Sequence, residues 1–99
     1  MTHEQFRSAL SEHHTSVIAA GLQAGHSLKV MNLSRRIEDL LAMAYDRGRM
    51  AREAADEGDH ARALVHHKRS QSFITDARSL IDTPHGREAY RLYLERAAQ

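Results

Sequence analysis

An all-α fold, a helical bundle of three long helices plus a short C-terminal one, is what the sequence predicts. Three observations predict it. Apolar residues recur every three or four positions along nearly the whole chain, the period of one helix face. No segment shows the strict alternation of a half-buried strand. One Pro and five Gly in 99 residues leave few places where a helix must stop. A chain of this length is expected to form a single domain, residues 1–99.

The first helix opens at Thr2-His3-Glu4-Gln5, a capping box in which the Thr2 hydroxyl and the Gln5 amide satisfy orphan amides. Phe6, Leu10, His13/His14, Val17, Gly21, Ala24, Leu28 and Met31 then recur at helical spacing. The helix is therefore expected over about 3–31, bent or interrupted near Gly21 and Gly25, with Asn32 capping the next. The second helix, about 33–57, carries Leu33, Ile37, Leu40/Leu41, Ala44, Gly48, Ala51 and Ala55 on one stripe. It stops at Asp56-Glu57-Gly58-Asp59, where Gly58 suits a left-handed position and Asp59 an N-cap.

The third helix, about 60–82, has the stripe Ala63, His66/His67, Ser70, Phe73/Ile74, Ala77 and Leu80/Ile81. Thr83-Pro84 reads as an N-cap followed by an N1 proline. It opens a fourth helix, about 84–98, with Tyr90, Tyr93/Leu94 and Ala97 inward. The short turn at Gly58 makes helices two and three an antiparallel hairpin. Counting outward from it sets Ala55 near Ala61, Ala51 near Val65, and Gly48 near Lys68. Small residues at 44, 48, 51 and 55 pinch the hairpin, and the large ones gather at its open end.

The stretch Glu57-Gly58-Asp59-His60-Ala61-Arg62-Ala63-Leu64 resembles the inter-helix turn of tetratricopeptide repeats. There a Gly-Asp turn is followed by an aromatic residue and an Ala-Leu or Ala-Ile pair. His60 replaces the aromatic, Met50-Ala51 loosely replaces the Leu-Gly of the preceding helix, Ser70 replaces a small Ala, and no Pro closes the unit. The likeness has no second copy along the chain, whereas a solenoid needs three or more. It implies a shared way of building a tight αα-turn and, for function, a protein-binding groove.

The apolar fraction of 41% conceals a split, because 15 of those residues are Ala and only 26 are large. So thin a core in so short a chain is expected to be completed by another copy or a partner. The net charge of +1 gives no strong field toward nucleic acid or anionic lipid. Absence of Cys, and of any two His three or four apart, leaves no disulfide, no metal site and no cofactor to expect. The longest apolar run is six residues, Leu40–Tyr45, far short of a membrane span, and Met1-Thr2-His3-Glu4-Gln5 lacks the features of a secretory signal. A cytoplasmic address is the expectation.

The eight His are the unusual count. In each doublet, His13-His14 and His66-His67, one imidazole must lie on or beside the apolar stripe. The expectation is a polar layer at a helix–helix or subunit interface that fixes register and loosens on protonation. A basic run on the third helix, Arg62, Lys68 and Arg69, is unopposed until Asp76 and carries the alternative of a small nucleic-acid-associated regulator. The arginines of the second helix interleave with acids instead, as in Arg35–Asp39 and Arg49–Glu53, which describes an ion-paired face. Glu53, Asp56, Glu57 and Asp59 read as a solvated hairpin tip.

A third reading comes from resemblance. Arg62 and His67, with four residues between, are similar to the Arg/His pair of HEPN-type ribonucleases, although Ala63 stands where those enzymes place a polar residue. Arg7 with His13 or His14, and Arg78 with His85, fit that spacing too, close to the number chance would give. No nucleophile elbow, phosphate loop or embedded carboxylate pair accompanies them.

Large apolar residues off the main stripes point to partner binding: Met43 and Met50 on helix two, Leu64 and Val65 on helix three, Leu92 on helix four. The expectation is a small non-enzymatic protein–protein interaction module and homodimer, acting through helical faces. An adaptor, an anti-activator, or a phage- or plasmid-type inhibitor of a larger host complex would each fit.

Overall fold

The computed structural model describes residues 2–99. It is all-α, with α1 at His3–Gln23, α2 at Leu28–Asp56, α3 at His60–Ile81 and α4 at Pro84–Ala97. The local start signals act as the sequence implies. Gln5 N–H donates to the Thr2 hydroxyl at 3.1 Å and Thr2 N–H to the Gln5 side chain at 2.9 Å, closing the capping box. The Asp59 carboxylate accepts from Arg62 N–H at 3.1 Å, and the Thr83 hydroxyl from Gly86 N–H at 2.9 Å.

The first boundary differs from the expectation. α1 ends at Gln23 and does not reach Met31, and Ser27, not Asn32, caps α2 by accepting from Val30 N–H at 3.2 Å. Gly25 explains the stop. At φ +93° it takes the left-handed conformation, Gly25 N–H donates to Leu22 O and His26 N–H donates to Gly21 O. Gly58 ends α2 in the same way at φ +81°, with Gly58 N–H donating to Ala55 O and Asp59 N–H to Ala54 O.

α2 is the central helix. Its N-terminal half is enclosed by α1 and α4 as well as by α3, and buries Val30, Met31, Ser34 and Ile37. The core cluster joins Val30, Met31 and Ile37 to Ala89 and Leu92 of α4, with Val17, Ile18, Leu33, Leu41, Leu80, Ile81 and Tyr90 half-buried around them. The C-terminal half buries only Ala44 and Ala54, and pairs with α3 in the hairpin. No Cα of α1 lies within 8 Å of one in α3 or α4, so among the described residues α1 is joined at backbone distance to α2 alone.

Two further corrections concern register. In the hairpin the Ser70 hydroxyl donates to Ala44 O at 2.8 Å, and Gly48 lies by Ser70, so the pairing slides from the Gly48–Lys68 expectation. The buried α2 position nearest the turn is accordingly Ala54, while Ala55 is exposed. On α4 the inward line is Gly86, Ala89 and Leu92, with Tyr90 and Tyr93 half-buried and Leu94 and Ala97 exposed. Gly86 decides this: a Cβ there would overlap the Leu80 carbonyl, so α4 starts flush against the end of α3. The resulting body measures 50 × 35 × 21 Å with a radius of gyration of 15.7 Å. A close-packed chain of this size would have about 13 Å, so the molecule is elongated along α2.

Candidate functional site

The sequence-selected residues fall in four places. Met43, Leu64 and Val65 are exposed and Met50 is half-buried, all on the hairpin of α2 and α3. Leu92, expected to point to a partner, instead packs into the core at 9% exposure. That is a correction, and its cause is the inward line through Gly86 and Ala89, which carries Leu92 one turn farther on the same side.

On the hairpin, small inner residues and large outer ones go together. Ala44, Ser70 and Ala77 are buried between α2 and α3, a contact too close for larger side chains. Leu64 (53%) and Val65 (54%) stand outward on α3, and Tyr45 (71%) outward on α2. Met43, Arg47, Met50 and Ala54 repeat at helical spacing along one edge of α2. On the opposite edge Gly48, Ala51, Arg52, Ala55, His60, Ala63, Leu64 and His67 line a shallow groove. Tyr45 is not among the partner-binding residues the sequence predicts. Its aromatic ring one position off the main stripe was the available signal.

The His doublets do not form one layer. His13 Nε2 lies 3.5 Å from Glu38 and His14 Nε2 3.2 Å from Asp39, across the α1–α2 contact. Glu38 is also held by Arg96 of α4 at 3.3 Å. His66 belongs to the other contact. An Arg guanidinium only donates, so Arg47 donates to His66 Nδ1, at 3.1 Å, and that nitrogen is unprotonated. His67 is exposed. The two doublets therefore meet opposite partners: carboxylates of α2 face His13 and His14, and a guanidinium of α2 faces His66.

The alternative sites are not assembled. Arg62 is engaged by Glu57 and by Asp59, the latter at 3.9 Å, which takes it out of a basic run with Lys68 and Arg69. Five helical positions turn His67 about 140° from Arg62, so these two side chains leave α3 in different directions. Asp46 and Glu53 both accept from Arg49, at 2.7 and 2.6 Å, and hold its guanidinium above the ordinary value. On α2 the expected Arg49–Glu53 pair is thus present, whereas Asp39 meets His14 in place of Arg35. Among the described residues no three His, Asp or Glu side chains gather as a metal-binding group, and no helix is long and apolar enough to cross a membrane.

A second concavity lies between α1 and α4. Val17, Ala20, Gly21 and Ala24 of α1 form one wall, Leu92, Glu95 and Arg96 of α4 the other, and Met31 the floor, around some 420 Å³. The Met31 thioether fills the notch at Gly21, where any Cβ would overlap it. Comparison with protein-family models, with curated proteins and with solved structures returns no match.

Proposed function

We propose that this chain is a small non-enzymatic protein-binding module of the adaptor or inhibitor kind, and that its partner surface is the outside of the α2–α3 hairpin. One observation carries the reading. Met43, Tyr45, Leu64 and Val65 are exposed on a hairpin whose inner contact is made by Ala, Ser and Gly. Stability does not require large apolar side chains there, so their presence outside calls for another role. Leu64 at the groove rim supplies a branched anchor, and Met43 and Met50 on the other edge supply side chains that adapt to a partner's shape.

The test is affinity capture from the native host by the wild-type chain and by Leu64→Glu and Val65→Glu variants, with mass spectrometry of what is held. A protein retained by the wild type and lost by the variants, whose helicity and melting temperature stay within the range of an ordinary surface change of about 0.5 kcal/mol, supports the reading. Retention of nucleic acid instead, steeply salt-dependent and lost on Lys68→Glu/Arg69→Glu, would sink it.

A further inference from the structure

We infer that the cleft between α1 and α4 receives the N-terminal half of α1 from a second copy of this chain, in a reciprocal two-fold exchange. This surface is separate from the hairpin face.

The arm that would enter is in plain view. From Glu4 to His13 every residue of α1 is exposed, including Phe6 (55%) and Leu10 (41%). These two sit eleven and seven positions before Val17, three and two helical turns, so they share its face. Val17, with Ala20, Gly21 and Ala24, lines the cleft. A single face of α1 thus carries large side chains at one end and small ones at the other. Laid antiparallel against its own copy, such a face is self-complementary, which an isologous dimer requires.

The register follows from matching large to small. Leu10 against the second copy's Ala20 sets Phe6 against its Ala24, with the two-fold axis near Thr15.

The areas agree. The chain exposes 6983 Å². A folded monomer of this mass exposes about 5,700 Å², leaving an excess of roughly 1,300 Å². A stable dimer buries about 800 Å² on each partner. One such interface fits within the excess and leaves surface for the hairpin's partner.

Light scattering with size-exclusion chromatography of the full chain, over a concentration series, tests this. The wild type is expected at twice the chain mass. Phe6→Glu/Leu10→Glu and, separately, Ala20→Trp are expected to weaken association about thirtyfold or more with helicity unchanged, all three positions being exposed. A wild-type mass of one chain, or a dimer indifferent to these variants, overturns the inference. The chain has no Cys, so Leu10→Cys and Ala20→Cys variants mixed under mild oxidation report the register. The mixed disulfide should dominate, and products in which each variant pairs only with itself refute the antiparallel exchange. Leu64→Glu should dimerise like the wild type, so this inference and the hairpin reading fail independently.

Discussion

The two halves of α2 solve the same problem differently. From Leu28 to Leu41 the helix is covered on several sides, and it buries branched or long side chains, Val30, Met31 and Ile37, against α1, α3 and α4. From Ala42 to Asp56 it buries only Ala44 and Ala54, and hydrogen bonds from the Ser70 hydroxyl to Ala44 O and from Arg47 to His66 join it to α3. Where several helices converge, space remains between the cylinders and bulk fills it. Where only two meet, small residues bring the backbones together and the large side chains have nowhere inside to go. The enclosed half holds the fold, and the pinched half presents a surface.

Substitutions break this contrast in graded ways. The largest effect is expected at Ile37, fully buried in the enclosed half. Ile37→Ala should lower unfolding free energy by about 3–4 kcal/mol in urea titration, and a loss below about 1 kcal/mol would show that the enclosed half is loosely packed. Next comes Ala44→Leu, which should destabilise by about 2 kcal/mol by forcing the hairpin apart and straining the Ser70 bond. If melting temperature rose instead, the hairpin would have room for bulk and its outer residues would lose their explanation. The smallest effect separates the two buried serines. Ser70 has its partner, whereas the Ser34 hydroxyl is fully buried in the enclosed half without one. Ser34→Ala should therefore raise stability by about 1 kcal/mol, and Ser70→Ala should lower it by a similar amount, about 1 kcal/mol. Equal signs in thermal melts would contradict this assignment.

Much of the architecture was legible because its signals are local. Thr2/Gln5, Gly58/Asp59 and Thr83/Pro84 each specify a helix end within a few residues, and each does so in the structure. Gly25 with Ser27 carries the same signal as Gly58 with Asp59, yet the sequence leaves open whether the helix bends or breaks there and lets it run to Met31. The difference is phase. Ala24, Leu28 and Met31 continue the apolar stripe across the break, so periodicity concealed a boundary that the glycine marked. The face of α4 was misplaced for another reason. Gly86 and Ala89 face inward because α4 abuts α3, and a hydrophobic pattern gives such residues less weight than Tyr90 and Leu94.

The partner surface was legible in part. Exposure of Leu64 and Val65 follows from their angle to the inner stripe of a single helix. Leu92 failed because its surroundings come from other helices. The His doublets were recognisable as unusual, but which group faces each ring is a tertiary fact. Carboxylates of α2 meet one doublet and a guanidinium of α2 meets a member of the other.

The attachment of α1 has a consequence for the order in which the molecule comes apart. α2, α3 and α4 form a unit closed by their own contacts, while α1 approaches one helix and is tied by His13 and His14 across it. Amide hydrogens along α1 are therefore the first to exchange with solvent, through openings that leave the other three helices intact, and those around Ile37 are the last. Because α1 forms one wall of the cleft that faces α4, an opening that frees α1 also dismantles the seat proposed for a second copy, and dimerisation should therefore slow exchange along α1.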